Sequence, residues 1–316
     1  MTVTAGQKRP RQSERPAPRR ALGGWRRPRV GREAAFWLLA VPPVAWLGLL
    51  FLLPVLLAAA FSFRPDMRGP LLAPWAPSLK QYASLLATGS YWRLLGVSAL
   101  MALVTSACAT ALAYPVAYFL TFRAGRRAGL YLLLLLVPFW TSYLLRVMAW
   151  KFLLGSEGVI NSFLQYVGLT DAPLTFLLYS RPAVVITLIY VWIPFVALPI
   201  LAALQRIDPA LFEAAADLGA APWRTFARIT LPLSVPGVLA AFFMVFIPTL
   251  GEYVTPLLVG GTRGIMYGNI VQDFFTKAAN WPFGAAMAMV MLAGALLLVG
   301  LALWLVGPSR VQQLVE

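Results

Sequence analysis

The stretch that decides the fold reads Glu213-Ala214-Ala215-x-x-x-Gly219, then nine residues, then Ile229-x-Leu231-Pro232. It lies in a polar segment, residues 205–236, which we call the motif loop. Long apolar segments flank this loop on both sides, at residues 182–205 and 237–259. A polar loop between two segments of about membrane-spanning length predicts a membrane domain that presents a docking site to a second protein.

The motif loop carries its own helix signals. Asp208-Pro209 predicts a helix start, because Asp is a preferred N-cap and Pro suits the first helical position. Gly219 is predicted to end or bend this helix, since glycine adopts a positive φ without penalty. A second short helix is predicted from Pro222. Pro232 and Pro236 are predicted to break the chain before the next span.

Small and charged side chains share the first helix of the motif loop. Ala214 and Ala215 would let another helix approach the backbone closely. Glu213 offers a fixed negative charge to an arginine or to backbone donors of a partner, and Asp217 adds a second. The alternative is an ordinary solvated amphipathic helix. We favour docking because of the full spacing of the motif.

Composition indicates a membrane protein. Hydrophobic residues make up 60% of the 316 residues, the mean hydropathy is +0.76, and charged residues reach only 12%. Soluble domains carry about 25% charged residues. We therefore predict an all-α, polytopic membrane protein with six transmembrane helices in residues 34–306. The apolar stretches are 34–63, 94–122, 128–145, 182–205, 237–259 and 284–307.

The basic residues are unevenly distributed. Ten of the 26 lysines and arginines lie in residues 1–33. One interpretation is a nucleic-acid-binding arm. We favour a disordered cytoplasmic tail with no nucleic-acid partner, since no aromatic or fold-forming pattern accompanies the charge. The apolar run that follows is too long for the roughly 7–15-residue core of a signal peptide, so the first helix is expected to stay uncleaved.

Charge also predicts the orientation in the membrane. With the N-terminus in the cytoplasm, the inside segments hold 17 lysines and arginines and the outside segments hold nine. The tail and the short cluster of Arg123, Arg126 and Arg127 decide this difference, because without the tail seven inside stand against nine outside. The motif loop and a C-terminal tail, residues 307–316, then lie in the cytoplasm.

Several kinds of site are excluded by the residues that the chain lacks. It has no histidine, which removes histidine metal sites and histidine general bases. Its one cysteine, Cys108, cannot form an intrachain disulfide. The phosphate-binding pattern G-x4-GK-[ST] does not occur, so ATP-Mg and its hydrolysis are expected on another polypeptide. No cofactor or metal is expected on this chain.

The motif resembles the EAA signature, EAA-x3-G-x9-I-x-LP, of the membrane-spanning subunits of binding-protein-dependent ABC importers. The matching residues are Glu213, Ala214, Ala215, Gly219, Ile229, Leu231 and Pro232. The resemblance implies a MetI-like permease fold in the bacterial inner membrane. It implies that the motif loop, including Asp217, is a coupling loop for a separate ABC ATPase dimer. It also implies a second permease subunit and a periplasmic or lipid-anchored substrate-binding protein.

Further segments resemble one branch of this family. Residues 137–150, 157–161 and 246–261 are similar to the spermidine/putrescine permeases, and residues 265–270 and 280–282 continue the similarity. Of the two permeases that such systems pair, the chain resembles the first. This implies import of a polyamine or a related organic cation. An opine or another small solute is the alternative, because the outside segments, with Glu252 included, hold five acidic against nine basic residues and form no acidic funnel.

Glu252 is the acidic residue inside a predicted span, where a carboxylate costs about 2.5–3.5 kcal/mol. We predict that it contacts a cationic substrate in transit, with Tyr253 or Trp192 supplying a cation–π face. These three residues form the predicted substrate path. The alternatives for Glu252 are an ion pair with Arg146 or Lys151, or a wet position at the membrane interface.

Two other function classes agree less well with the sequence. A self-powered secondary transporter typically places ionisable residues or broken half-helices at the midplane of repeated halves. This chain has one mid-span acid and no internal repeat. A membrane enzyme would need a metal-ligand cluster or a nucleophile–base pair, which these residues do not supply. We therefore predict a transporter subunit that is not an enzyme.

Overall fold

The computed structural model describes residues 32–66 and 76–306, and the regular elements in these ranges are all helical. Residues 1–31 of the predicted basic tail and the predicted C-terminal tail lie outside the described residues. The chain divides after Leu53 into two units. The described part of the first unit is one helical segment, and the second unit holds the remaining helices. The α-helices are α1 (Arg32–Ser62), α2 (Lys80–Ala87), α3 (Gly89–Phe122), α4 (Ala128–Leu136), α5 (Tyr143–Leu154), α6 (Val159–Tyr166), α7 (Arg181–Gln205), α8 (Pro209–Asp217), α9 (Pro222–Thr225), α10 (Leu231–Leu250), α11 (Tyr267–Thr276) and α12 (Trp281–Val306).

By length and composition, five helical segments of the described chain could cross a membrane. They are α1, α3, α7, the joined helix Pro222–Leu250, and α12. A bent pair, Gly125–Trp140 and Tyr143–Tyr166, gives a sixth if it counts as one span. Five of the six predicted spans are therefore found as long helices, and the predicted third span is the one that is not straight.

The third predicted span, residues 128–145, bends by 89°. α4 tightens into a 3₁₀ turn at Val137–Trp140, and Thr141 is extended. Proline disfavours a continuing α-helix because it lacks a backbone N–H. The Thr141 hydroxyl and amide both donate to the Pro138 carbonyl, at 2.6 Å and 3.3 Å, so this backbone acceptor at the break is satisfied within the turn. A hydropathy pattern registers the apolar residues on both sides but not this change of direction.

The prediction that Pro232 and Pro236 break the chain before the fifth span is wrong. α9 continues through a π turn at Phe226–Thr230 directly into α10, so the span runs from Pro222 to Leu250. The Leu231 amide donates to the Phe226 carbonyl, five residues back. Pro232 lies in the first turn of α10, directly after the π turn. Its missing N–H therefore does not end the helix.

The core is formed where α3, α7 and α10 pack together. Small buried residues on α3, namely Ala102, Ala109, Ala113 and Ala117, let the neighbouring helices approach closely. On α10, Gly237 lies so near α7 that an added Cβ would overlap Ala203 and lie 2.8 Å from the Pro199 carbonyl oxygen. This crossing fixes the separation of α7 and α10 just above the motif loop.

The ends of α3 and α7 define two faces of the protein. The C-terminal residues Leu120 of α3 and Leu204 of α7 share one cluster with Phe212 of the motif loop. Met101 and Leu188, nearer the N-terminal ends, share another. α3 and α7 are therefore parallel, and the motif loop lies at their C-terminal ends. We call the face at their N-terminal ends the distal face. The short helix α6 begins directly after Gly158.

Candidate functional site

The first helix of the motif loop begins where the sequence predicts. Asp208 is the N-cap of α8, and its Oδ1 accepts a hydrogen bond from the Ala210 amide at 2.9 Å. Pro209 occupies the first helical position, where its missing N–H leaves no helical hydrogen bond unmade. The N-cap carboxylate fixes the angle at which the chain leaves α7.

Gly219 ends α8, as predicted. Its φ is +70°, and the amides of Gly219 and Ala220 donate at 2.9 Å to the carbonyls of Ala216 and Ala215. This pair of hydrogen bonds is a Schellman cap, which requires a left-handed residue at the position of Gly219. The turn that joins the two halves of the motif therefore depends on a glycine.

The inner side of the motif loop is anchored to the membrane helices by aromatic and apolar side chains. The ring of Phe212 lies 5.3 Å from that of Phe122 on α3. Phe226 lies 5.9 Å from Tyr114. Ala215 is buried, and Ile229 packs against the core of α3, α7 and α10. These contacts hold the loop as a fixed surface.

The outer side of the motif loop carries the remaining predicted residues of α8. Glu213, Ala214 and Asp217 are exposed, and so are the more distant Leu231 and Pro232. Ala215 is the predicted coupling residue of α8 that faces inward. The structure thus divides the motif into an outward face that a partner can reach and an inward face that anchors the loop.

Two exposed apolar side chains extend this outward face and were missing from the predicted site. Leu218 is 87% exposed and Trp223 is 67% exposed. The Arg224 guanidinium lies 5.5 Å from the Trp223 ring centroid. Large apolar side chains exposed together in a polar loop mark an interaction surface. The signal in the sequence is their presence in an otherwise polar segment, on either side of Gly219.

Glu252 caps a helical turn. Its Oε1 accepts hydrogen bonds from the amides of Val254 at 2.8 Å and Thr255 at 3.1 Å. α10 ends at Leu250, and the chain turns at Gly251 before the next helical segment. A carboxylate at this position satisfies amides that have no helical partner. Capping was not among the roles predicted for Glu252, which were substrate contact, an ion pair and a wet position.

The ion-pair alternatives for Glu252 are wrong in the described part of the chain. The Arg146 guanidinium instead lies 4.7 Å from the centroid of the Phe139 ring. The Lys151 ammonium lies 5.8 Å from the centroid of the Tyr179 ring. Both cations therefore face aromatic rings.

The other two predicted substrate-path residues, Tyr253 and Trp192, have different surroundings. Tyr253 follows Glu252 and has an exposed side chain, while its carbonyl accepts from Asn269 Nδ2 at 2.7 Å. Trp192 lies on α7, where it packs within the helical core and its ring contacts Phe195 at 5.6 Å. The structure therefore supports an accessible ring beside Glu252 at Tyr253 but places Trp192 in helix packing.

The described residues contain no group of three or more His, Cys, Asp or Glu side chains that could hold a metal ion. Cys108 lies on α3 as a free thiol.

The sequence matches a family model over residues 24–307. Its description is binding-protein-dependent transport system inner membrane component. The spermidine/putrescine transport system permease protein PotB of Escherichia coli K12 is 35% identical over 260 residues, covering 81% of this chain and 93% of that protein. The E. coli inner membrane ABC transporter permease protein YdcU is 32% identical over 282 residues, covering 84% and 87%.

The fold is also found among solved structures. A bacterial ABC transporter that imports the acidic polysaccharide alginate contains a chain that matches this one with a TM-score of 0.66. That match covers 86% of this chain and 94% of the other at 20% identity, so it speaks to the fold alone. The predicted MetI-like fold class is confirmed. The chain belongs to the family of binding-protein-dependent transport system inner membrane components, and it is a permease subunit of an ABC importer rather than an enzyme.

Proposed function

We propose that this permease conducts a polyamine, spermidine or putrescine, or a related organic cation. The observation that carries the proposal is the similarity to PotB, which is 35% identical over 81% of this chain and nearly the whole of PotB. A relative with so large a shared length retains the same set of spans and loops. The exposed Tyr253 ring beside the Glu252 carboxylate supports a cationic solute.

The motif loop is proposed to couple transport to a separate ABC ATPase dimer that binds ATP-Mg. Its outward face offers the carboxylates of Glu213 and Asp217 and the apolar side chains of Leu218 and Trp223. A charged and apolar surface on a fixed loop suits a cleft on a partner protein. This assignment places the loop, and the N-terminus, in the cytoplasm, as the positive-inside rule predicts.

Two further partners complete the proposed importer. Because one chain contributes few spans, a second permease subunit, a different chain, is proposed to close the translocation path around a pseudo-two-fold axis. A periplasmic or lipid-anchored binding protein is proposed to deliver the solute to the distal face. No cofactor is proposed on this chain.

The test is uptake by the reconstituted complex. The permease is co-expressed with its candidate ATPase, second permease and binding protein, and ATP-driven uptake of radiolabelled spermidine into proteoliposomes is measured. Glu213→Ala is expected to lower uptake and ATPase retention while the permease still inserts. Uptake that is unaffected by removal of the ATPase would overturn the coupling proposal, and uptake of other solutes but not of polyamines would overturn the substrate.

A second candidate is a permease for an opine or another small solute with an acidic group. The excess of basic residues in the predicted outside segments, nine against five acidic ones when Glu252 is included, favours it. Competition of spermidine uptake by opines and by polyamines, in the same proteoliposomes, separates the two candidates. Because the chain belongs to a family of ABC importer permeases, a self-powered secondary transporter is no longer a candidate.

A further inference from the structure

The distal face contains an open cavity of about 700 Å³, which we call the distal pocket. It lies between Pro65 and Asp66, which follow α1, helix α2, and the turn that joins α11 to α12. Its polar lining includes Asp66, Lys80, Gln81, Ser84 and Asn280. The residues of the motif loop and of the predicted substrate path do not line it. The pocket is therefore separate from both sites discussed so far.

Gln81 builds one wall of the distal pocket. Its side chain is only 6% exposed, and its Nε2 donates to the carbonyls of Arg64 at 3.2 Å and Pro65 at 2.9 Å. These bonds hold the backbone immediately before Asp66 and place that carboxylate on the wall. Within the described residues, Gln81 Oε1 accepts no hydrogen bond. The NH₂ group of this buried amide therefore anchors the backbone, and its carbonyl oxygen can accept a hydrogen bond from a ligand.

Aromatic rings form the floor of the distal pocket. The ring centroids of Tyr91 and Phe283 are 5.5 Å apart, and those of Phe274 and Phe283 are 4.7 Å apart. Phe283 is buried, whereas Tyr91 and Phe274 are partly exposed. The faces of such rings carry negative charge density and attract cations within about 6 Å of the centroid.

The turn that closes the pocket is held in an unusual conformation. Ala279 lines the pocket with a φ of +48°, a region that alanine rarely adopts. Asn280 follows it, and its Oδ1 accepts from the Phe283 amide at 3.3 Å. Backbone strain of this kind is found preferentially where a ligand is clamped.

We propose that the distal pocket binds an organic cation carrying amine groups. Asp66 and Gln81 Oε1 accept hydrogen bonds from an ammonium group, and the rings of Tyr91 and Phe274 contact its alkyl chain or its charge. The inference rests on the proposed function, because it gives the proposed substrate class a second binding site at the distal face. The site differs from the predicted path at Glu252.

Lys80 provides a second charge at the pocket, opposite to that of Asp66, whose removal shows whether the ligand is a cation or an anion. Its side chain is exposed at the rim, and it forms no ion pair with another described residue. Its ammonium group is a tethered cation that opposes the binding of a free one. Removing Asp66's charge and removing Lys80's charge therefore have opposite effects on a cationic ligand, and both effects reverse for an anionic one. One unit charge at about 4 Å in water changes an affinity roughly fivefold.

The experiment measures equilibrium binding of radiolabelled spermidine to the purified permease complex, without binding protein, in phosphatidylcholine nanodiscs. Asp66→Asn is expected to weaken the binding about fivefold, and Lys80→Gln to strengthen it by up to about fivefold. Asp171→Asn is the matched control, because Asp171 is an exposed acid of the predicted outside loops that does not line the pocket. It is expected to leave binding unchanged.

Opposite shifts for Asp66→Asn and Lys80→Gln support the proposal, and they cannot arise from misfolding, which only weakens binding. Unchanged affinity in both variants, changes of the same sign, or reversed signs overturn it. Uptake of spermidine by the same complex distinguishes the two levels of inference. If the wild-type complex imports spermidine and both variants bind it with wild-type affinity, the proposal of a binding site in the distal pocket is overturned, and the proposed transport function stands. If the complex imports no polyamine, the proposed function fails.

Discussion

Gly219 provides the sharpest test of the motif loop, because its substitution changes backbone conformation and little else. Gly219 ends α8 with a φ of +70°, and a Cβ added there would meet nothing within 4 Å. Gly219→Ala therefore creates no steric clash. Its effect comes only from placing an alanine in the left-handed region, which costs about 1–2 kcal/mol.

That cost sets the expected size of the effect. A change of about 1–2 kcal/mol alters the ratio of two conformations roughly 5- to 30-fold. If the ATPase binds the loop with its Schellman cap formed, the apparent affinity falls by at most this factor. Gly219→Asn is expected to restore much of the loss, since asparagine tolerates the left-handed region better than alanine.

Gly168 is a matched control on the distal face. It ends α6 with a φ of +74°, open space around its Cβ position and the same pair of capping hydrogen bonds, from Gly168 to Gln165 and from Leu169 to Leu164. Gly168→Ala carries the same conformational cost but lies away from the motif loop. It is expected to leave ATPase binding unchanged.

The assay is the affinity of the purified permease for its ATPase in nanodiscs, measured by titration, together with ATP-driven uptake. Wild-type affinity of Gly219→Ala for the ATPase would contradict a role of the Schellman cap in binding. An equal loss of ATPase binding in Gly168→Ala would also contradict it, because the effect would then be a general loss of stability.

The remaining predictions concern three positions. Trp223→Ser is expected to weaken ATPase binding by about 2 kcal/mol or more, as for a buried interface tryptophan, and unchanged binding in a titration would exclude Trp223 from the interface. Gly237→Ala is expected to destabilise the protein by about 1–3 kcal/mol, because the added Cβ overlaps Ala203; Gly96→Ala, with open space around it, should leave the thermal unfolding temperature unchanged or raise it. Glu252→Gln keeps an acceptor for the helix cap, so normal uptake would assign Glu252 to capping, whereas lost uptake with a normal unfolding temperature would assign its charge to the substrate.

The parts of the motif loop that could be predicted depend on neighbours in sequence. An N-cap such as Asp208 and a left-handed glycine such as Gly219 act through hydrogen bonds within a few residues. Their roles are therefore visible in the residue types and their order. The same holds for the long apolar spans, because crossing a bilayer requires a continuous run of apolar residues.

The features that the sequence did not reveal depend on three-dimensional context. Pro232 was expected to break the chain, but the π turn before it lets the helix continue although Pro232 has no N–H to donate. Glu252 was predicted to contact a substrate, to form an ion pair or to lie at a wet position, and the turn at Gly251 gives it a capping role that no local pattern indicated. The distal pocket joins Asp66 to Phe283, residues too far apart in sequence for any local pattern to connect.

The continuous helix from Pro222 to Leu250 changes what the second half of the motif does. Its 29 residues extend about 43 Å at 1.5 Å per residue, more than the roughly 30 Å of a hydrocarbon core. The segment around Ile229 is therefore the base of a span rather than part of a flexible connection. Because Gly237 packs directly against α7, and α7 leads into α8, both ends of the motif loop are attached to helices that contact each other. If an ATPase binds and displaces the loop, as we propose, α7 and α10 are expected to move with it, and the π turn at Phe226–Thr230 is the point where the helical register can adjust.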